Sequence, residues 1–331
     1  MAAVVFGPDR ARRGGTGLVL GAGGVLGAAW MTGALAGLSD RLPCAAADVD
    51  LIVGTSAGSV LAAALRCRAP FEEMVAWQRG QATGLLRESA ALAAHDGPLP
   101  PLPRWRFGSV SLAWAALITP YRVPPWVAAS AWLPHGRGQH AALRSLVTGL
   151  QLRAGPSSWT GQPTWIAAVD YDTGQRVLFG RDGAPAASLP DAVVASCSIP
   201  GWYEPAVIGG RRYVDGGVRS MTSLDVLAGT DVQDIYVLAP MASTEPDHPL
   251  RPHLQMERRL RQVFTAVLVR QAEVLAARGK RVTVLTPGPR DLAAMGINLM
   301  DPRRRQDVLE LSFRTSAEAL AALDRAAPRA A

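Results

Sequence analysis

Two apolar segments near the start of the chain each run into a glycine-rich turn and then into a helical pattern. A strand predicted over residues 17–20 precedes the first turn and a helix over about 25–38. A strand over residues 50–53 precedes the second turn and a helix that ends near Arg66. Strands that alternate with helices favour a parallel sheet with helices packed on it. The sequence therefore predicts an α/β fold with a mostly parallel sheet flanked by helices.

The same alternation resumes in the second half of the chain. With 331 residues, 49% of them hydrophobic, the chain can bury one large core. We predict a flexible basic leader over 1–15, a single domain over 16–331 and a C-terminal α/β extension from about 228. The further predicted strands cover 164–169, 176–179, 234–239 and 281–285, with another ending at 215, and the further predicted helices cover 71–81, 191–197, 255–278 and 307–323.

Residues 96–135 differ from the rest in composition, because they contain eight prolines and six aromatic residues. Tryptophan is common at membrane–water interfaces, where its ring is apolar and its N–H stays hydrated. One interpretation is an insertion or lid that touches lipid near the functional site. The other is an irregular subdomain with a small core of its own. The sequence leaves both interpretations open.

The chain is basic, with a net charge of +7 that comes almost entirely from arginine, since Lys280 is the one lysine. This balance suits anionic partners such as phospholipid headgroups, although scattered solvated arginines would produce it too. No zinc-finger or RNA-binding signature is present, so we expect no nucleic-acid partner. The three cysteines are far apart and fit neither a disulfide framework nor a zinc site. They favour a reducing, cytoplasmic compartment.

Residues 16–39 carry no charge and follow several arginines, as in a signal peptide or membrane span. Glycines crowd the first half of this segment, however, and glycine is unfavourable inside a helix. We therefore predict a strand, a turn and a helix here, and keep a membrane or signal segment as the alternative.

Ser56 is the candidate nucleophile, because it lies in the Gly-x-Ser-x-Gly pattern between a predicted strand and a predicted helix. This context is typical of a nucleophile elbow, in which Gly54 and Gly58 avoid clashes in a sharp turn. The serine then lies at a helix N-terminus, where free N–H groups favour negative charge. The alternative is an ordinary glycine–serine turn.

A serine nucleophile needs a base, and Asp215 is the best candidate. It is followed by Gly216 and Gly217, which allow a sharp turn at the end of a strand. A shielded carboxylate there would have a raised pKa and could accept the serine proton. An Asp-Gly turn of purely structural role is the common alternative. His248 or His253 would instead satisfy the order Ser…Asp…His.

The turn over residues 21–27 could supply an oxyanion hole. The N–H groups of successive glycines form an anion-binding nest, here through Gly23 and Gly24 with Gly21 and Gly27 in support. A dinucleotide fingerprint is the competing interpretation, but its third glycine position holds Leu26.

These three elements, in this order, resemble the patatin-like phospholipase family over about residues 17–227. The run Ala195-Ser196-Cys197-Ser198-Ile199-Pro200-Gly201 adds to the likeness. The resemblance implies a three-layer α/β/α fold with Ser56 as nucleophile, Asp215 as base, and the Gly23 and Gly24 amides as oxyanion donors. Many members carry arginine or lysine where this chain has Leu26, which removes a cation that could hold a phosphate.

From the resemblance we expect a serine lipid acyl hydrolase that works through an acyl-serine with no metal or cofactor. Its partners would be a lipid ester substrate and, peripherally, a membrane surface. The alternatives are an acyltransferase that uses the same dyad, a nucleotide-binding regulatory protein that uses the glycine-rich loop, and a lipid-surface binding protein whose site is inactive.

Overall fold

The computed structural model describes residues 1–8, 14–81, 104–118, 123–155, 159, 161–245 and 247–326. A sheet of nine strands forms its centre, in the order β1-β11-β10-β2-β3-β6-β9-β8, with β7 also paired to β6. A separate two-stranded sheet joins β4 and β5. The strands are β1 (Ala2–Phe6), β2 (Gly15–Leu20), β3 (Leu51–Thr55), β4 (Arg104–Phe107), β5 (Pro134–His135), β6 (Thr164–Asp170), β7 (Arg176–Phe179), β8 (Ala206–Ile208), β9 (Arg211–Asp215), β10 (Val232–Leu238) and β11 (Arg281–Thr286).

Helices pack on both faces of the large sheet. They are α1 (Gly24–Leu38), α2 (Ala57–Arg66), α3 (Phe71–Gln78), α4 (Val110–Ile118), α5 (Pro125–Ser130), α6 (Ala141–Ala154), α7 (Leu189–Cys197), α8 (Pro252–Ala277), α9 (Pro289–Met295) and α10 (Arg305–Ala326). Short 3₁₀ helices span Ser39–Arg41, Gly216–Val218, Leu224–Gly229 and Pro302–Arg304.

Strand β2 shows how the sheet separates two cores. Leu18 and Leu20 pack into a large cluster with side chains of α1, α2, α7 and α10. Val19, between them, packs into a second cluster with α8 on the opposite face. Successive side chains of a strand point to opposite faces, so apolar residues at every position require helices on both sides. The predicted α/β fold and its three layers are confirmed.

The sheet is parallel at its centre and antiparallel at its margins. Strands β11, β10, β2, β3 and β6 run parallel. Strands β1, β7, β9 and β8 each pair antiparallel with their neighbours. The βαβ pattern in the sequence predicted the parallel centre. Of the marginal strands, β7 forms a hairpin with β6, β8 forms a hairpin with β9, and β1 is the first strand of the chain.

The predicted flexible leader over 1–15 is wrong for its first residues. Ala2–Phe6 forms β1, which pairs with β11 from Ala2 opposite Thr286 to Phe6 opposite Val282. Val4, Val5 and Phe6 have high strand propensity, and this signal outweighs the basic residues that follow. Those residues, 9–13, lie outside the described part of the chain.

The C-terminal part of the chain completes the sheet. Strand β10 pairs with β2 in register from Gly17 opposite Ile235 to Leu20 opposite Leu238. Helix α10 packs closely against α1, because a Cβ atom added at Gly33 would lie 2.6 Å from Ser312 Oγ. The segment predicted as an extension therefore lies within the same three layers.

The described part of the proline- and tryptophan-rich segment packs against strands β6 and β9 of the large sheet. Residues 96–103 and 119–122 of it lie outside the described residues. In the rest, Leu112 of α4 and Val127 of α5 pack with Tyr171 and Val214 in a third apolar cluster. Val214 belongs to β9 and Tyr171 directly follows β6, so this cluster is shared with the central sheet. Both interpretations of the segment, a lid that touches lipid and a subdomain with its own core, stay predictions.

Residues 16–39 form most of β2, the glycine turn and α1, which agrees with the predicted strand, turn and helix. Among the helices within the described ranges, none is both long and apolar enough to cross a bilayer.

Candidate active site

Strand β6 brings Ser56 and Asp215 together. Thr55, the residue before the serine, lies opposite Ala167 of β6 in the parallel pairing with β3. Asp215 lies opposite Ala168 in the antiparallel pairing with β9. Ser56 and Asp215 are 159 positions apart in the chain, but they lie at the same level of the sheet on the two sides of β6. A catalytic dyad requires such proximity.

Ser56 has the backbone conformation of a nucleophile elbow. Its φ of 53° and ψ of −121° are unusual for a residue other than glycine. A strained backbone conformation of this kind persists only where the surrounding structure enforces it, and it is found mainly at functional sites. A Cβ atom at Gly58 would lie 2.0 Å from the carbonyl oxygen of Leu20, so only glycine fits there. Gly54 is similarly enclosed, with a Cβ position 2.7 Å from the Gly58 carbonyl oxygen.

Two serines that the sequence analysis gave no role support this elbow. The backbone N–H of Ser56 donates to Ser196 Oγ at 2.8 Å, and that hydroxyl donates to the Ala167 carbonyl at 2.6 Å. The Ser59 hydroxyl donates to the Ser56 carbonyl at 2.6 Å. Ser196 therefore connects the elbow to β6. The one sequence feature that could have indicated a role for Ser196 is its position in the run 195–201, which resembles the family.

Asp215 is buried at the end of β9, where its carboxylate accepts a hydrogen bond from the Gly217 N–H at 2.7 Å. Burial raises its pKa to about 6, and interactions with the Ser56 hydroxyl and the Gly217 N–H partly offset this rise. The Ser56 hydroxyl interacts with the Asp215 carboxylate, and this interaction favours the charged form of the carboxylate. A carboxylate with this pKa is suited to exchange a proton near neutral pH.

The glycine-rich loop presents free N–H groups between paired ones. The amides of Gly21 and Ala22 donate to the carbonyls of Leu238 and Met221. Further on, the amides of Leu26 and Gly27 donate to Leu299 and Gly23. The amides of Gly23, Gly24 and Val25 have no acceptor within the described part of the chain. Gly24 has a φ of 61°, a conformation that favours glycine. It is the first residue of α1, so these N–H groups belong to the free donors of a helix N-terminus.

All four predicted catalytic and oxyanion residues line one cavity of about 580 Å³. The walls are mainly apolar and include Leu133, Ile199, Met221, Phe264, Val267 and Leu268. The volume lies within the range of about 300–1,000 Å³ that is typical of small-molecule sites.

A second cavity of about 390 Å³ meets the first at Ser56, Gly24, Ile199 and Met300. Its walls combine apolar side chains, such as Leu143 and Leu146, with polar ones. The polar residues that line it include Gln78, Gln139, His140, Tyr203 and Arg305. Ser56 therefore lies where an apolar compartment and a more polar one join.

The histidines weighed as bases lie elsewhere. His248 and His253 are exposed and line neither cavity. His140 does line the second cavity, but its Nε2 lies 3.2 Å from Ser198 Oγ and its ring stacks on Tyr203. Burial and the nearby Arg144 lower its pKa to about 4. His140 is thus a neutral, fixed wall residue at physiological pH.

A family model for patatin-like phospholipases matches residues 18–228, well over half of the chain. The chain belongs to the patatin-like phospholipase family. Membership supports activity as a lipid hydrolase, and a catalytic dyad is typical of this family. Within the described residues, no group of three or more His, Cys, Asp or Glu side chains is placed to hold a metal ion.

The solved structures found to be similar show low identity to this chain. VipD from Legionella pneumophila is 11% identical, with 97% of this chain and 70% of that one covered and a TM-score of 0.46. Human GIVD cytosolic phospholipase A2 is 10% identical, with 96% and 63% covered and a TM-score of 0.38. The type III effector ExoU is 17% identical, with 98% and 64% covered and a TM-score of 0.29. The chain spans less than two thirds of the length of the phospholipase A2 and of ExoU. The TM-scores are all below 0.5, so these structures carry no argument about the site.

Proposed function

We propose that this protein is a serine lipid acyl hydrolase in which Ser56 is the nucleophile and Asp215 the general base. The observation that carries the proposal is the strained, buried Ser56 beside a carboxylate whose pKa is raised to about 6. A serine hydroxyl is a weak nucleophile unless an adjacent base removes its proton. Asp215 is the one carboxylate among the residues that line this cavity.

The reaction follows from these positions. Ser56 Oγ attacks the ester carbonyl while Asp215 takes its proton. The unpaired N–H groups of Gly23 and Gly24 stabilise the oxyanion of the tetrahedral intermediate. Asp215 then returns the proton to the leaving alcohol, which departs from the acyl-serine. Water then attacks the acyl-serine while Asp215 takes its proton, and Asp215 passes that proton to Ser56 Oγ as the fatty acid leaves.

The apolar walls of the larger cavity suit the acyl chain of a lipid ester. Four of the apolar residues that line this cavity are exposed and form its rim, namely Trp126 of α5 and Leu260, Val263 and Val267 of α8. Met256, Leu260, Val263 and Val267 form one stripe at helical spacing along α8. The exposed arginines 259 and 270 of the same helix would favour an anionic lipid surface. We infer peripheral membrane contact at this rim, which would deliver the ester directly to Ser56.

Hydrolysis of a short-chain nitrophenyl ester tests the dyad. We expect Ser56→Ala and Asp215→Asn each to lower kcat/KM by about 10³-fold or more, with folding retained. Asp182→Asn is the matched control, because Asp182 is exposed and lines neither cavity. Turnover by either dyad variant at the wild-type rate would exclude the mechanism. Product analysis with added glycerol separates hydrolysis from acyl transfer to an alcohol.

A further inference from the structure

The side chain of Pro240 packs directly against the glycine-rich loop. A Cβ atom added at Gly23 would lie 2.7 Å from Pro240 Cγ, and one added at Gly27 would lie 3.2 Å from the same atom. At Gly21, an added Cβ would lie 3.3 Å from Pro240 Cδ. The proline ring therefore touches the loop before, at and beyond Gly23. A shift of Pro240 would displace the free amides of Gly23 and Gly24.

Arg261 of α8 holds the carbonyl of Pro240. Its Nη1 donates to that carbonyl at 2.6 Å, and its Nε pairs with the Glu257 carboxylate one turn earlier on the helix. Arg261 is only 2% exposed, and its Nη2 is buried without a hydrogen-bond partner among the described residues. Because proline has no N–H, the carbonyl is the only backbone group by which a hydrogen bond can hold Pro240.

A second contact from α8 holds the same segment. The N–H of Ser243 donates to Thr265 Oγ1 at 2.9 Å, one turn beyond Arg261. Residues four apart lie on one face of a helix, so a single face of α8 holds residues 240–243. Phe264 of the same helix lines the larger cavity. The helix that forms a wall of this cavity thus also holds the segment that packs on the glycine-rich loop.

Stability alone does not account for a buried arginine at this position. Moving a guanidinium out of water is costly, and a buried ion pair often stabilises a fold no more than apolar residues of similar volume would. One nitrogen of Arg261 also stays unpaired within the described part of the chain. The rigid planar guanidinium does give each of its hydrogen bonds a fixed direction. Accurate placement of a catalytic loop requires such a direction.

We propose that Arg261 is a positioning residue for the oxyanion hole. Its hydrogen bond to the Pro240 carbonyl keeps the proline ring against the loop, so that the Gly23 and Gly24 amides stay directed at the ester oxygen. The inference rests on the proposed role of these amides in ester hydrolysis. Pro240 and Arg261 both lie beyond residues 18–228, so the inference gives a role in the reaction to a part of the chain that the family model does not match.

Two ketones test the oxyanion hole directly. Octyl trifluoromethyl ketone adds to a serine hydroxyl and forms a hemiketal whose oxyanion resembles the tetrahedral intermediate, whereas octyl methyl ketone binds without this step. We expect Arg261→Met to raise the Ki of the trifluoromethyl ketone and to lower kcat for a nitrophenyl ester, each by about 10- to 30-fold. KM and the Ki of the methyl ketone should change little. Arg261→Lys should retain part of the affinity.

Arg258→Met is the matched control for loss of a buried charge. Arg258 is buried on the same helix, where its Nη1 donates to Glu257 and its Nε donates to Asp247 at 2.6 Å. It shares Glu257 with Arg261, but its hydrogen bonds go to these carboxylates rather than to Pro240. Arg258→Met should therefore leave kcat and both Ki values unchanged. An equal effect in this variant would assign the loss to the ion-pair network and overturn the proposal.

Pro240→Ala tests the same link from its other end. It keeps the carbonyl that Arg261 binds but removes the ring that lies on Gly23, so the Ki of the trifluoromethyl ketone should rise by a similar factor. Because each substitution breaks the same link, the double variant should lose no more than either single one. Additive losses, or an unchanged Ki in either single variant, would overturn the proposal. If Arg261→Met does not fold, Pro240→Ala decides the matter.

Two further readouts separate positioning from other causes. A Ki does not depend on the fraction of protein that is folded, so a stability defect leaves it unchanged. The midpoint of the pH profile of kcat/KM should stay near 6 in Arg261→Met, as in the wild type. A shifted midpoint would place the effect at Asp215 and overturn the proposal. Absence of nitrophenyl ester turnover in the wild type would instead refute the proposed function.

Discussion

Residues 18–228 and residues 232–326 contribute to the site in different ways. The first region matches the family model and contains every motif that the sequence analysis identified. The second contains none of them, yet it supplies α8 along the larger cavity and Arg305 in the smaller one. Reacting groups depend on tight local turns, which leave a sequence signature. Cavity walls depend on contacts between distant segments and leave none. We therefore expect substitutions in the first region to change the chemical step and those in the second, apart from Arg261 and Pro240, to change substrate delivery and choice.

Apart from the loss expected for the dyad variants, the largest effect in this comparison is expected at the glycine-rich loop. A Cβ atom at Gly23 would lie 2.7 Å from Pro240 Cγ and 2.8 Å from the Cα of Gly27, so Gly23→Ala must displace the loop. Misplaced oxyanion donors should lower kcat for a nitrophenyl ester by about 10²-fold. Gly229→Ala is the control, because its added Cβ meets no atom within 4 Å. A normal kcat in Gly23→Ala would show that these amides do not act on the oxyanion.

The pH dependence of kcat/KM tests Asp215 as the general base, which also lies within residues 18–228. Because the pKa of Asp215 is raised to about 6, kcat/KM for a soluble ester should rise about tenfold per pH unit up to that value and then level. A profile that stays flat down to pH 5 would contradict the assignment of Asp215 as base.

The same pKa has a consequence for stability. The folded-state pKa of about 6 lies above the unfolded value of about 3.9, so the native state binds this proton more tightly. The resulting stability is fully present below about pH 4 and is lost as pH rises through about 6. At pH 8, Asp215→Asn should therefore be more stable than the wild type by about 2–3 kcal/mol. Urea unfolding at pH 4 and pH 8 measures this difference, which should disappear at the lower pH.

The smallest effect is expected at the rim that α8 and α5 form. Leu260→Gln combined with Trp126→Ala removes exposed apolar surface from both helices of the rim. Sedimentation with vesicles of phosphatidylcholine and phosphatidylglycerol should show binding weakened by about three- to tenfold. Turnover of a soluble ester should fall less. Val207→Gln, an exposed position that lines neither cavity, is the control, and equal losses of binding and turnover would indicate a structural role for the rim.

Local patterns predicted the elements that carry the candidate dyad. Gly54 and Gly58 predicted the elbow at Ser56, and the two glycines after Asp215 predicted its turn. Strand propensity in Val4, Val5 and Phe6 was present too, but the basic residues that follow obscured it. The antiparallel pairing of β9 with β6 could not be predicted, although it brings Asp215 to Ser56. Ser196 also needed the tertiary structure, because its hydrogen bonds join segments far apart in sequence.

The run of arginines 303–305 shows the difference between what the sequence determines and what the tertiary structure decides. In the sequence these three residues are equivalent, and they form the longest basic block. In the structure Arg303 pairs with Asp301, Arg304 donates to the Ala294 carbonyl, and Arg305 alone of the three lines a cavity that reaches Ser56. The sequence by itself determined the α/β class, the elbow, the acidic turn and the glycine-rich loop, because short-range backbone geometry requires particular residues there. The tertiary structure decided which distant side chains surround these groups, because packing and burial depend on the whole chain.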